Sequence, residues 1–177
     1  MSLFRSATAL LLSAVALVSC GSGGAETATP VTFKGPDFQV KLPGAPKQDQ
    51  KSLPTPLGDV KIRSYIVEGK EISIGVSVAD LPLPDGFDVE AALNAVGEGA
   101  AKDVDGKLAS STPVTVQGRA GRDIHVTEAR KGKASAWIRV IIDNKTQYQI
   151  LTTQVGGKTE KAPASHLTAI ESFGFLK

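Results

Sequence analysis

Apolar and polar residues alternate with a period of two through the middle of the chain, a pattern that predicts half-buried β-strands. In the run "EISIGVSVAD" the aliphatic residues at positions 72, 74, 76 and 78 are separated by serine and glycine. The run "VKIRSYIVE" precedes it, and Gly69 between them predicts a hairpin with a two-residue type II′ turn. Three later runs, "GRDIHVTEA", "SAWIRVIID" and "TQYQILTTQ", predict further strands, and the last two form a hairpin at "DNK".

The run "SAWIRVIID" carries apolar residues at odd and even positions, so we expect its strand at the centre of the sheet. Two helices are predicted to cover it. Asp88 is a suitable N-cap for the first, which ends near Gly106, and Pro163 begins the second. The sequence therefore predicts an α+β fold, an antiparallel sheet flanked by helices on both faces. The apolar stripes of the two helices are Val89, Leu93, Val96 and Ala100 in the first, and Leu167, Ile170 and Phe173 in the second.

The N-terminal residues have the pattern of an export signal. Arg5 precedes an apolar stretch at residues 7–18, which would reach about 18 Å as a helix and so falls short of a bilayer core of about 30 Å. The stretch closes on "LVSC", which resembles the lipobox of bacterial lipoproteins. This resemblance implies that the Cys20 thiol receives a diacylglycerol, with acyl chains such as palmitate, and that cleavage leaves Cys20 as the new N-terminus.

Cys20 is the only cysteine, so a disulfide within the chain is excluded. A catalytic thiol is disfavoured because Cys20 stands between a signal sequence and the glycine-rich run "GSGGAETATP", whose composition is typical of a flexible linker. We therefore divide the chain into a lipoprotein signal peptide at residues 1–19, a lipidated cysteine and linker at 20–30, and one α+β domain at 31–177. The expected location is outside the cytoplasmic membrane, or facing the periplasm in a cell with two membranes.

The charge balance bears on partners. Twenty Lys and Arg stand against eighteen Asp and Glu, and this near-balance argues against a nucleic-acid partner, which would require a strong basic footprint. The expected partners are the membrane, through the lipid on Cys20, and a protein or small molecule that the sequence does not identify. One local excess of basic residues is a candidate anion or headgroup contact, with solvated hairpin loops that protect sheet edges as the alternative: Arg119, Arg122, Arg130, Lys131 and Lys133.

Residues suited to catalysis are sparse. His125 and His166 are the two histidines, too few for a zinc site, and no metal or cofactor is expected. Both are predicted to be ordinary surface residues that titrate near 6.5. The chain lacks a G-x-S-x-G elbow and an S-x-x-K motif. A Ser/His/carboxylate site assembled from distant segments stays open, because such a site is defined by geometry rather than by spacing.

Four segments together resemble small bacterial lipoproteins of the PsbP-like fold, with the layout of LpqN-type actinobacterial lipoproteins: "GPDFQVKLPGAPK", "LPLPDGFDVEAALNAV", "TVQGRAGRDIHV" and "HLTAIESFGF". The same layout is similar to the extrinsic PsbP protein of photosystem II and to a Ran-binding nuclear-transport protein. The resemblance implies an α/β/α sandwich that serves as a non-enzymatic binding or assembly module, without catalytic residues. Two alternatives stay open, a hydrolase with a dispersed site and a carrier for an apolar ligand.

Overall fold

The computed structural model describes residues 29–55, 58–84, 86–156 and 158–176. Within these residues the chain forms three helices, α1 (Val89–Asp103), α2 (Ala129–Gly132) and α3 (Ala164–Ser172). It also forms the strands β1 (Val31–Lys34), β2 (Phe38–Leu42), β3 (Lys47–Thr55), β4 (Gly58–Val67), β5 (Ile72–Asp80), β6 (Lys107–Val116), β7 (Arg119–Glu128), β8 (Ala134–Asp143), β9 (Thr146–Val155) and β10 (Gly174–Phe175).

The strands build two antiparallel sheets. The larger has seven strands in the order β3-β4-β5-β9-β8-β7-β6, and the smaller has three in the order β1-β2-β10. The predicted antiparallel sheet is confirmed. The small sheet was not predicted, because β10 has only two residues and pairs with a strand more than 130 residues earlier in the chain.

Alternate residues of the central strands enter two hydrophobic clusters. Ile138 and Val140 of β8 belong to the first cluster, together with the buried side of α1, whereas Ile141 belongs to the second. The second cluster includes Phe38 of the small sheet and Ala169 of α3. The prediction that β8 is apolar on both sides is confirmed, because its side chains from Ala134 to Ile138 and from Val140 to Ile142 are all buried.

The start of α1 agrees with the sequence prediction. The Asp88 carboxylate accepts a hydrogen bond of 2.9 Å from the backbone N–H of Ala91, which satisfies one of the free donors at the helix N-terminus. The predicted type II′ turn at Gly69 is wrong, since four residues join β4 to β5 and Gly69 is not among the glycines with positive φ.

Helix α3 confirms most of the predicted apolar stripe. Phe173 is buried and Ile170 packs against the second cluster, whereas Leu167 is 44% exposed. His166 and Ala169 complete the buried side of the helix. In the described part of the chain no helix is both long and apolar enough to cross a membrane.

Candidate functional site

The hairpin of β7 and β8 places four functional side chains on the side of the sheet that carries α3. In its register Asp123 lies opposite Arg139, and His125 lies opposite Trp137. Side chains of successive strand residues point to opposite faces, so Ile124 between them enters the cluster beneath α1. An ion pair and an aromatic pair therefore stand side by side beneath α3.

These residues line an open cleft of about 270 Å³. One wall is β6 at the sheet edge, the floor is the β7–β8 hairpin, and the opposite wall is the segment from 160 to 162 followed by α3. We call it the histidine cleft, because both histidines of the chain line it. The polar lining residues are Ser110, Thr112, Asp123, His125, Glu160 and His166, and the apolar ones are Ile124, Trp137, Ile138, Ala162, Leu167 and Ile170.

His125 has a fixed orientation. Its ring stacks on Trp137, with ring centroids 4.9 Å apart and an angle of 8° between the planes. Its Nε2 lies 3.0 Å from the carbonyl oxygen of Thr159, and since a carbonyl only accepts, Nε2 carries the proton. Burial lowers the pKa of His125, although the Thr159 carbonyl and Glu160 act in the opposite direction. The imidazole is therefore protonated at a lower pH than the predicted ordinary surface histidine.

The prediction that His166 is an ordinary surface residue is wrong. It is 4% exposed, and its Nδ1 lies 2.9 Å from the hydroxyl of Thr152, a residue with no exposed surface. Burial lowers the pKa of His166 to about 4, helped by the nearby Arg139 and opposed by Asp123. Desolvation disfavours the charged imidazolium, so His166 is neutral over the physiological range.

Asp123 and Arg139 form a bidentate ion pair below the two histidines. The Arg139 Nε and Nη2 atoms each lie 2.6 Å from a different carboxylate oxygen of Asp123. Arg139 also donates through Nη1 to the carbonyl oxygen of Ile170, at 3.2 Å, and so ties α3 to the sheet. Both oxygens of Asp123 are therefore engaged in a structural contact.

The rim of the histidine cleft is held by a second polar contact. The Ser135 hydroxyl accepts from the backbone N–H of Thr159 at 3.1 Å and donates to the carbonyl oxygen of Gly156 at 3.0 Å. Ser135 has no exposed surface, and its two hydrogen bonds are partly buried. They position the Thr159 carbonyl that His125 contacts, and therefore the cleft is preorganised by hydrogen bonds within the chain.

The hydroxyls near the two histidines are not placed for attack on a substrate. Ser110 lies opposite His125 in the strand register, but His125 bonds to the Thr159 carbonyl. Nucleophilic catalysis requires a hydroxyl within hydrogen-bond reach of its base, and Thr152 meets that condition at 2.9 Å from His166, but it has no exposed surface for a substrate to contact. Among residues 29–55, 58–84, 86–156 and 158–176, no group of three or more His, Cys, Asp or Glu side chains is placed to hold a metal ion.

The structure does not gather the basic residues that the sequence singles out. Arg119 is the first residue of β7, where it pairs with Asp143 at 2.7 Å and lies over the Phe175 ring. Arg122, also on β7, donates to Asn94 of α1 at 2.6 Å. Both lie on a strand and not in the predicted tight loop. The others, Arg130, Lys131 and Lys133, follow the far end of β7, which is about 30 Å long at 3.3 Å per residue.

Cys20, the predicted lipid attachment site, lies outside the described residues, as do the signal peptide at 1–19 and most of the linker at 20–30. The sequence did not point to Trp137, Asp123 or Arg139 as members of a site. The signal that could have found them is their position in the hairpin. The pairs 123/139 and 125/137 are symmetric about residue 131, so a hairpin centred there places them cross-strand.

Comparison with known proteins gives a match in structure only. Neither a known family profile nor a curated protein sequence matches the chain. The solution structure of cyanobacterial PsbP (CyanoP) from Synechocystis sp. PCC 6803 superposes with a TM-score of 0.60 at 12% sequence identity, over 90% of this chain and 99% of that chain. The chain has the PsbP-like fold. Protein PA94 of Pseudomonas aeruginosa, of unknown function, is similar over 72% of this chain and 84% of that chain, with 13% identity and a TM-score of 0.37.

The PsbP-like fold extends over nearly the whole of CyanoP, so no large part of that structure lacks a counterpart here. At 12% identity the likeness concerns the fold alone, and the residues of the histidine cleft are assigned from their own geometry.

Proposed function

We propose that this protein is an exported lipoprotein, anchored by a lipid on Cys20, whose PsbP-like domain is a non-enzymatic binding or assembly module. The domain extends from residue 31 to 177, and its helices α1 and α3 cover opposite faces of the large sheet as an α/β/α sandwich. The two clusters on alternate strand residues support this layering. The location is the outer side of the cytoplasmic membrane, or the periplasm in a cell with two membranes.

The observation that carries the binding function is the preorganised histidine cleft. Three of its ionisable groups are bonded within the chain, Asp123 to Arg139, His125 to Thr159 and His166 to Thr152. What the cleft offers a partner is therefore a fixed surface of rings, hydroxyls and aliphatic groups, with the exposed carboxylate of Glu160 at its rim. Its volume of about 270 Å³ is below the usual 300–1,000 Å³ of small-molecule pockets. This size favours a side chain or short segment of a partner protein over a large apolar ligand.

Photo-crosslinking of the anchored protein tests this function. A crosslinking amino acid at Leu167, which lines the cleft, is expected to capture a partner, whereas the same amino acid at exposed Glu171 of the same helix is not. Thr112→Arg places a long cation in the cleft and should abolish capture. Thr115→Arg is the matched control, because it adds the same side chain to the same strand outside the cleft lining. Capture that is equal at both helix positions, or insensitive to Thr112→Arg, contradicts the proposal.

The hydrolase is retained as a second candidate because Ser110, Asp123 and two histidines line one cleft. The double variant Ser110→Ala with His125→Gln separates the candidates in a strain that lacks the native protein. Because both residues also line the binding surface, rescue is read together with partner capture by the crosslinker at Leu167. Loss of rescue with capture retained favours the hydrolase, whereas rescue and capture that are kept together or lost together favour the binding module.

A further inference from the structure

We propose that the β7–β8 end of the large sheet docks on an anionic bilayer surface and so sets the orientation of the domain on its membrane. This inference rests on the lipid anchor of the proposed function. The docking surface, which we call the basic corner, consists of five cations that converge there from three segments of the chain: Lys107, Arg130, Lys131, Lys133 and Lys158.

The basic corner contains a single carboxylate of its own. Glu128 lies 2.8 Å from Lys107 and 3.9 Å from Lys158, and the hydrogen bond from Lys107 is the main reason that the pKa of Glu128 is lowered. The side chains of these two lysines are 72% and 85% exposed. Asp103 and Asp105 flank the corner at the end of α1, and Glu71 precedes β5 at the same end of the sheet. The five basic side chains still outnumber these three and Glu128.

The backbone of the β7–β8 connection holds its cations outward. Arg130 and Lys131 have left-handed φ values of 52° and 60°. This conformation is uncommon for residues with a Cβ and persists where surrounding bonds fix it. The backbone N–H of Arg130 donates to the carbonyl oxygen of Val104 at 2.7 Å, and that of Lys133 donates to the carbonyl oxygen of Ala129 at 3.0 Å. The connection is therefore a formed surface feature.

The chain enters the domain at the same end of the sheet. Val31 pairs with Leu42 in the small sheet. Gly44, two residues after Leu42, lies beside the last residue of β4. A Cβ atom added to Gly44 would be 3.8 Å from the Val67 side chain. The basic corner lies at the same end of the sheet. Val155 pairs with Ala134, the first residue of β8, and its backbone N–H donates to the carbonyl oxygen of Glu71, which precedes β5. Three inter-strand spacings separate β4 from β8 in the sheet, a distance of about 14 Å.

The length of chain between the proposed lipid and the domain limits how far the domain can stand from the membrane. Ten residues separate Cys20 from Val31, and their covalent reach is about 35 Å at most. Cations on the membrane-facing end are therefore brought close to lipid headgroups. Each Lys or Arg near an anionic surface raises the membrane-binding constant about fivefold. At the opposite end of the sheet the cations are paired with carboxylates, Arg119 with Asp143 and Arg63 with Asp80, and so offer an anionic surface less than the basic corner does.

Depth-dependent quenching tests the orientation with the full lipidated protein in vesicles. A fluorophore is attached to a cysteine at Val155, which is 63% exposed beside the basic corner, or at Asp59 on the opposite end. The vesicles contain phosphatidylcholine with or without phosphatidylglycerol and carry a quencher on a fraction of headgroups. With phosphatidylglycerol, the label at Val155 should be quenched far more than the label at Asp59. High salt should remove the difference, because it screens exposed charges.

A charge-matched pair of variants identifies the groups responsible. Replacing Arg130, Lys131 and Lys133 with serine should lower the ratio of docked to undocked molecules about hundredfold and equalise the two labels. Replacing three cations elsewhere with serine should preserve the contrast: Lys34, Lys61 and Lys145. Equal quenching in the parent protein, or a contrast that survives loss of the loop cations, overturns the proposal.

Flotation separates this inference from the anchor on which it rests. A lipidated protein floats with vesicles of phosphatidylcholine alone, whatever its orientation. If the protein floats with phosphatidylcholine vesicles but the two labels are quenched equally on anionic vesicles, the anchor is supported and the basic corner is rejected. Flotation only on anionic vesicles, lost when the three loop cations are replaced, supports the corner and rejects the anchor. Flotation on neither rejects both.

Discussion

At the scale of single residues, the histidine cleft is defined by two imidazoles whose pKa values are both lowered by burial and whose rings are held by different contacts. His125 is held by a ring stack and a carbonyl, so its proton is fixed on Nε2. His166 is held by burial beside a threonine hydroxyl. A neutral imidazole in a cleft donates or accepts a hydrogen bond without bringing a charge. His125 thereby suits a surface that recognises a partner by shape and hydrogen bonding, whereas His166, 4% exposed, supports the cleft from within.

The buried position of His166 predicts a specific pH dependence of stability. Its pKa of about 4 in the folded protein is below the value of about 6.5 expected when unfolded, so the unfolded chain binds more protons between these values. The stabilising contribution is complete above pH 6.5 and is lost as the pH falls towards 4. Between about pH 7 and about pH 5.5 the free energy of unfolding should fall by about 1 kcal/mol on this account.

Urea unfolding of the parent and of His166→Gln at both pH values measures this contribution. Glutamine can bond to the Thr152 hydroxyl but does not titrate, so the variant should lose less stability on acidification than the parent. His125 also has a lowered pKa, and its contribution to the pH dependence of stability is the same in both proteins. The same fall in stability in both proteins would show that His166 is not buried in its neutral form.

At the scale of elements, the effect of a glycine in α1 depends on whether it faces the neighbouring strand β6. Gly97 and Gly99 both weaken the helix in principle. Gly97 faces β6, where an added Cβ would lie 2.8 Å from the Ser111 hydroxyl, whereas Gly99 has nothing within 4 Å. The Ser111 hydroxyl is itself held by Arg122 at 2.6 Å and has little freedom to move. The two glycines therefore have different roles, close packing at 97 and none at 99.

Alanine at each glycine should change stability with opposite sign. Gly99→Ala should raise the free energy of unfolding by about 0.5–1 kcal/mol, because alanine restricts the unfolded chain and favours the helix. Gly97→Ala should lower it by about 1–3 kcal/mol, because the new methyl group overpacks the contact with Ser111. Chemical denaturation of both variants gives the comparison. Two stabilising substitutions would mean that α1 stands farther from β6 than described.

The elements differ in how far the sequence predicts them. Five strands of the large sheet, β4, β5, β7, β8 and β9, and the helix α1 follow from local periodicity. The edge strands β3 and β6 were not predicted, because they carry few apolar residues and are largely exposed. The small sheet depends on a two-residue strand at the end of the chain, which has no periodicity to detect. The burial of His166 on α3 was not predicted, because histidine is a polar residue in a sequence pattern. Its neutral state arises only once Thr152 and the sheet bury it.

At the scale of the whole molecule, the PsbP-like fold places the two candidate surfaces close together. The histidine cleft opens beneath α3, and the basic corner follows the end of β7, the strand that carries His125. A domain docked by its basic corner would hold the cleft near the bilayer. A partner reached there would lie at or in the membrane, which agrees with an assembly module and disfavours a partner in bulk solution.

The lipid on Cys20 is the central claim at this scale, because anchoring, location and membrane orientation all depend on it. The Cys20→Ser variant removes the thiol that the lipobox resemblance marks for modification. That variant serves as the control for the direct measurement, because it should leave the precursor unprocessed and without lipid.

The direct measurement is the mass of the N-terminal peptide of the protein isolated from membranes of its natural host. The account predicts a peptide that begins at Cys20 and carries the added mass of a diacylglycerol, with acyl chains such as palmitate, and no such peptide from Cys20→Ser. An unmodified peptide that contains residues on both sides of Cys20, or one that begins elsewhere with a free thiol at Cys20, would contradict it.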